Sequence, residues 1–241
     1  MLHGGHGSWL HWVRNIRALA TSRLVIVPDM PSFAMSPMSF MPQSAAEIAA
    51  PLVQAISDSS MPITRDIVGF SFGGLVGAEL AACLPCRVER LVIVGSGGLA
   101  TPRHHCALRP VKRGENDMPA HRHNLLALML HRPGSVDALA LHVQALNVGL
   151  NRLPVMANRP RIAPMILPDH LLRALARTDV PVDAIWGEHD RPHPDPQAQF
   201  AALRAVRPSA RLRIVKNAGH WCCFEEHEAF NRHCFDLLDQ R

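Results

Sequence analysis

No apolar run in this chain of 241 residues approaches the roughly 20 residues that a membrane span requires. The opening MLHGGHGSWL has neither the basic nor the apolar stretch of a secretory leader. A cytoplasmic protein without a membrane partner is expected. The six cysteines (Cys83, Cys86, Cys106, Cys222, Cys223 and Cys234) lack a second pair or a histidine pair at zinc-ligand spacing, so free thiols are expected and no metal centre. Cys83 and Cys86 form a C-x-x-C, but at the end of a predicted helix. The formal charge of +5 comes almost wholly from arginines scattered along the chain, without the basic run that nucleic acid demands. Internal repeats and low-complexity segments are absent too. With 48% apolar and 19% charged residues, the composition is that of a globular chain, and the length suits one domain whose core needs no disulfide or metal.

Short β-branched runs alternate with Ala- and Leu-rich stretches. LVIVP at 24–28, RDIVG at 65–69, RLVIVG at 90–95, VDAIWG at 182–187 and RLRIV at 211–215 read as strands, with helices over 44–57, 73–83, 196–206 and 226–239. Continuous apolar strands separated by helices predict a mostly parallel sheet covered by helices on both faces, an α/β fold. Between Leu99 and Thr178 the strand rhythm stops, and HNLLALML, SVDALALHVQALNVGL and DHLLRALAR read as amphipathic helices. The expected organisation is a core of 1–98 and 179–241 with a helical cap of 99–178, the prolines at 154–168 marking the return.

Gly69-Phe70-Ser71-Phe72-Gly73-Gly74 follows a strand and opens a helix. A serine on such a sharp turn is presented by a strained backbone, and its small neighbours allow close passage. The Phe72 N–H and the helix N-terminus point to the spot where an oxyanion would form. His3-Gly4-Gly5-His6-Gly7-Ser8-Trp9 offers the second donor, the Gly5 N–H with that of His6 as alternative, because glycines let main-chain N–H groups approach a ligand. A serine hydroxyl needs a base, and the base needs a carboxylate to hold its tautomer. Asp190, in the loop after VDAIWG, and His220, in the loop after RLRIV, follow strand C-termini and share one rim with Ser71. Glu188 and Asp195 compete for the role of acid, and His189, His193 and His227 for that of base. The order Ser, Asp, His is the one expected of a G-x-S-x-G hydrolase.

Taken in order, HGGHGS, PDMPSF at 28–33, GFSFGG, WGEHD and AGHW resemble the α/β-hydrolase superfamily over nearly the whole chain. Gly219-His220-Trp221 followed by Glu228-Ala229-Phe230-Asn231-Arg232 resembles the end of the meta-cleavage product hydrolases. That resemblance implies carbon–carbon bond hydrolysis in vinylogous diketo acids from aromatic-ring degradation, on a keto tautomer formed in the site, with no metal or organic cofactor. Three positions depart from the pattern. Phe70 stands where those enzymes commonly carry Asn, Ser32 replaces the usual Gly of PDMPSF, and the substrate-binding cap arginine has only Arg152 and Arg159 as candidates.

Trp221 and Phe70 are expected beside the substrate. Arg103, His104, His105, Arg109, Arg152, Arg159 and Arg161 make the cap basic, which would draw in an acidic small molecule. Ser71 argues against the haloalkane dehalogenases and epoxide hydrolases of this fold, which use an aspartate nucleophile. The rivals are a carboxylesterase and, from another class, a non-catalytic ligand-binding protein or truncated fragment. In this fold the strand before the HGG loop is interior, and only Met1 and Leu2 stand for it here. Leaving its neighbours' ladders unpaired costs about 1–3 kcal/mol for each buried group. The natural sequence is therefore expected to begin ~25–30 residues upstream.

Overall fold

The computed structural model describes residues 1–58, 66–84, 87–112 and 117–239. Cys86 of the C-x-x-C lies outside them. Four strands, β1 (Asp66–Phe70), β2 (Arg90–Val94), β3 (Val182–Gly187) and β4 (Leu212–Val215), pair in that order, all parallel. The longer helices are α1 (Ala45–Asp58), α2 (Phe72–Cys83), α3 (Met118–Asn124), α4 (Ala138–Leu150), α5 (His170–Leu175), α6 (Pro196–Val206) and α7 (His227–Asp239).

Successive side chains of a strand point to opposite faces, and here both faces are covered. Ile67, Leu91, Ile93, Val182, Ala184 and Trp186 join an apolar cluster with residues of α1, α2, α5 and α6. Val68, Phe70, Val92, Val94 and Ile185 join the other, with Trp12, Leu19 and residues of α4 and α7. This explains why the strands read as continuous apolar runs rather than alternating ones.

The run at 24–28 forms no strand. Leu24 is 71% exposed, while Val25 and Val27 only pack against the second cluster. A strand there needs a ladder partner, and the neighbouring backbone contributes a single parallel bridge, Leu2 to Gly69. The Leu2 N–H donates to the Val68 carbonyl at 2.8 Å and the Phe70 N–H to the Leu2 carbonyl at 2.9 Å. With no longer ladder beside it, 24–28 is held by one bond, from the Met1 amino group to the Ile26 carbonyl at 2.6 Å, and forms no strand.

Between β2 and β3 the described residues are helical or irregular. Asp117 and Asp137 cap α3 and α4, accepting from the Ala120 and Ala140 N–H groups at 3.1 and 2.8 Å. A five-residue π-helical turn, Leu125–Met129, continues α3. The proline-rich return carries two short helical turns, Pro154–Met156 and Ile162–Met165.

Gly69 is where the chain tolerates no side chain, since a Cβ there would lie 2.4 Å from the Gly73 carbonyl oxygen. Gly69→Ala is expected to destabilise the fold by about 1–3 kcal/mol through overpacking. In contrast, a Cβ on Gly149 in α4 meets nothing within 4 Å, and Gly149→Ala should stabilise by up to ~1 kcal/mol. Urea unfolding of both variants checks the two signs.

Candidate active site

Ser71 joins β1 to α2 with φ 51° and ψ −117°, a conformation that costs an L-residue about 1–3 kcal/mol and persists only where its surroundings over-determine it. Its N–H donates to the Val94 carbonyl at 2.7 Å, which ties the turn to the end of β2. Asp190 and His220 come from the loops after β3 and β4, and both side chains are buried. The Ser71 Oγ–H faces His220 Nε2 at 3.0 Å, and the His220 Nδ1–H donates to Asp190 Oδ2 at 2.7 Å. The His193 N–H donates to the other carboxylate oxygen at 2.9 Å. Burial pushes the Asp190 carboxyl up, but the charges and hydrogen bonds of His220 and His193 outweigh it and hold the group down at about 2.

The competing residues have other work. Glu188 accepts from Lys216 Nζ and the Asn217 N–H at 2.8 and 3.0 Å. Asp195 caps α6, His189 stacks on His131, and His227 opens α7. His193 lies beside the acid without reaching the serine, with its Nδ1 3.5 Å from Asp190.

The HGG loop is held by two imidazoles of opposite tautomer. His3 Nε2 accepts from the Met30 N–H at 2.9 Å, so its Nδ1 carries the proton and donates to the Gly4 carbonyl at 2.8 Å. His11 Nδ1 accepts from the Gly4 N–H at 3.1 Å, so its proton sits on Nε2. The Gly4 peptide is thus clamped at both ends and its N–H is withdrawn from the site. The Gly5 N–H has no acceptor among the described residues, and neither has that of His6. Phe72 is the first residue of α2, so its N–H has no partner within the helix. Ser32 takes φ 67°, so the turn of PDMPSF forms at the cost of backbone strain.

Beside this loop lies a cavity of about 340 Å³, lined by Gly5, His6, His11 and Met129 and by cap residues that include Arg109, Arg152 and Arg159. No carboxylate among the described residues lines it. Arg152 donates to the Val111 carbonyl at 2.7 Å, and Arg159 to that of Asn151. These two cap candidates therefore keep their charge uncompensated by any described carboxylate. Ser71 and His220 are not among the lining residues, whereas Gly5 and His11 of the N-terminal segment are. Phe70 and Trp221 do not line it either. Both are 1% exposed. The Phe70 ring packs on Trp12, His11 and His220, while Trp221 stacks on Phe224 and donates its Nε1–H to the His11 carbonyl. They are apolar packing behind the histidines, because each has found its partners inside the second cluster.

Sequence reasoning missed Glu225. Its buried carboxylate accepts from the Gly219, His131 and Arg132 N–H groups, each at 2.8 Å, and so ties the His220 loop to the chain after the π-helical turn. A carboxylate directly after the apolar Cys222-Cys223-Phe224 was the available signal, since a buried charge must be satisfied. His11, between Leu10 and Trp12, gave none.

Residues 1–233 match the model of the Alpha/beta hydrolase family. The chain belongs to that family. Among curated α/β-hydrolase relatives, the 2-hydroxy-6-oxo-6-phenylhexa-2,4-dienoate hydrolase of Burkholderia cepacia is 28% identical over 99% of this chain and 86% of its own length. The 2-hydroxy-6-oxononadienedioate/2-hydroxy-6-oxononatrienedioate hydrolase 1 of Dechloromonas aromatica is 27% identical over 99% and 85%. Solved structures with the same fold include the meta-cleavage product hydrolase of Pseudomonas fluorescens, with a TM-score of 0.72, 20% identity and 99% and 89% coverage of the two chains. The naproxen esterase of Bacillus subtilis reaches 0.71 at 18% identity, with 98% and 81% coverage. Esterases and carbon–carbon hydrolases share this α/β-hydrolase architecture, so fold alone does not choose between them.

The two neutral histidines of the HGG loop make stability depend on pH. Burial pushes His3 down to about 4 and His11 well below its ordinary value. The unfolded chain, with imidazoles near 6.5, then binds more protons than the fold between about pH 4 and 6.5, and stability rises with pH across that window. The contribution is complete above about pH 6.5 and is lost toward pH 4, on the order of 3 kcal/mol for His3. Urea unfolding at pH 7.5 and 4.5 should show this loss, and His3→Gln should flatten it. An unchanged slope in the variant would contradict the assignment.

Proposed function

We propose that this chain hydrolyses a carbon–carbon bond in an acidic, vinylogous diketo acid of the kind formed when aromatic rings are opened, with Ser71 as nucleophile, His220 as base and Asp190 as its orienting carboxylate. The observation that carries the reading is the cavity beside Gly5, where three arginines meet no carboxylate among the described residues. Such a cavity attracts an anionic substrate and repels a cationic one. The dienoate and dienedioate substrates after which the relatives are named agree with an acidic substrate.

In this mechanism the substrate carboxylate lies among Arg109, Arg152 and Arg159, and the substrate extends past Gly5 to bring its reacting carbonyl to Ser71. The dienol takes a proton on carbon to become the keto tautomer, so that the carbon leaving group can depart as a stabilised enolate. Ser71 Oγ attacks the carbonyl carbon while His220 Nε2 takes the hydroxyl proton. The oxyanion is held by the Gly5 and Phe72 N–H groups, which act before any reorganisation is needed. The tetrahedral intermediate then collapses, the carbon–carbon bond breaks, and the proton on His220 passes to the departing carbon. Water, deprotonated by His220, releases the acyl group and restores Ser71. Asp190 stays ionised throughout and keeps the His220 proton on Nδ1.

Asp190→Asn is expected to leave the fold intact and lower turnover by a factor on the order of 10⁴, because the amide stabilises the wrong imidazole tautomer. Steady-state kinetics alongside circular dichroism test this, and near wild-type turnover would assign the role to another carboxylate.

Substrate choice is tested by offering the enzyme a 2-hydroxy-6-oxo-dienoate and phenyl acetate side by side. The diketo acid should be the better substrate. Arg152→Gln, at the half-buried arginine, should cost its turnover about 2–5 kcal/mol if its pair with the carboxylate is desolvated, and Arg159→Gln, at an exposed one, less, with a far smaller effect of either on the ester. Cleavage of the ester alone would leave a carboxylesterase.

A further inference from the structure

His11 is 4% exposed, and its imidazole is fixed from several sides. Its Nδ1 is occupied by the Gly4 N–H, and its own carbonyl receives the Trp221 Nε1–H at 2.9 Å. The ring stands edge-on to Phe70 and Trp221, with centroids 5.4 and 5.2 Å away. The ring also fills the space that a side chain on residue 7 would take, since a Cβ on Gly7 would lie 2.0 Å from His11 Cε1. Because Nδ1 accepts, Nε2 must carry the proton. That N–H has no acceptor among the described residues, and His11 lines the cavity. Burial and the neighbouring His3 and His220 keep the ring neutral, so it remains a donor at one atom only.

We propose that His11 Nε2–H is a substrate-binding donor that selects for a keto or enol oxygen lying between the reacting carbonyl and the carboxylate of the substrate. The inference rests on the diketo acid reading above and deepens it. Gly5, His11 and the three arginines line the same cavity, so a substrate that reaches from the Gly5 N–H to the arginines shares that cavity with the His11 N–H. An unfilled N–H there would be left without a partner by an unfunctionalised alkyl ester and satisfied by a substrate bearing an oxygen on that carbon. A site built to hydrogen-bond one substrate oxygen discriminates strongly against analogues that lack it.

The test separates this role from the clamp on Gly4. His11→Asn keeps an acceptor near the Nδ1 position but ends short of Nε2, whereas His11→Phe removes both. With His11→Asn, the ratio of kcat/KM for the 2-hydroxy-6-oxo-dienoate to that for phenyl acetate should fall at least tenfold. His11→Phe should depress both substrates, through loss of the loop clamp. An unchanged ratio in His11→Asn would overturn the proposal, since His11 would then act only by positioning the loop. If the wild-type enzyme cleaves no diketo acid, the carbon–carbon reading falls. His11 is then read from binding of that diketo acid to Ser71→Ala, followed by dienol absorbance. Affinity at least tenfold weaker on adding His11→Asn supports the donor, while unchanged affinity, or no binding in either protein, overturns it.

Discussion

Ser71 is held with φ 51° because three parts of the chain converge on it. The Val94 carbonyl fixes its N–H, α2 begins immediately after it, and the bare Cα of Gly69 lets the Gly73 carbonyl approach. Any relaxation of that turn toward ordinary backbone geometry would swing the hydroxyl away from His220 and the Phe72 N–H away from the oxyanion position. The strain, about 1–3 kcal/mol, is small beside the burial of α2, in which every residue from Phe72 to Ala81 is buried. The same helix, whose single buried charge, Glu79, is paired with Arg177, thus pins Ser71.

Around this point charge is segregated. The loop that presents Gly5 is held by His3 and His11, both kept neutral by burial, and the positive charge lies on the other side, in Arg109, Arg152 and Arg159 of the cap. Under the proposed mechanism, neutral donors beside the reacting carbonyl would leave the Ser71–His220 proton transfer undisturbed, whereas the arginines would order an anionic tail. Glu225 ties the loop of His220 to the chain after the π-helical turn, since one buried carboxylate holds the N–H groups of Gly219, His131 and Arg132.

Much of this was legible in the sequence for physical reasons. The runs 65–69, 90–95, 182–187 and 211–215 read as strands because both faces of the sheet are buried, and the G-x-S-x-G turn read as an elbow because its glycines answer a steric demand. Asp190 and His220 were legible through their position after strand ends. The run at 24–28 was misread because its composition suits a strand while pairing depends on a neighbour elsewhere. Phe70 and Trp221 were read as substrate contacts, yet aromatic rings fill apolar clusters as readily as binding sites, and only packing separates the two. His11 and Glu225 act through main-chain groups distant in sequence, at Gly4 and at His131 and Arg132, and no local spacing encodes such bonds.

The central claim is that Ser71, alone among the serines, is activated by the His220–Asp190 pair. Labelling with a fluorophosphonate, followed by mass spectrometry of the digested protein, tests it most directly because only an assembled and activated serine reacts. The account predicts one adduct, on Ser71, absent from Ser71→Ala and strongly slowed in His220→Ala. An adduct on another serine, or none at all on the folded protein, would contradict it.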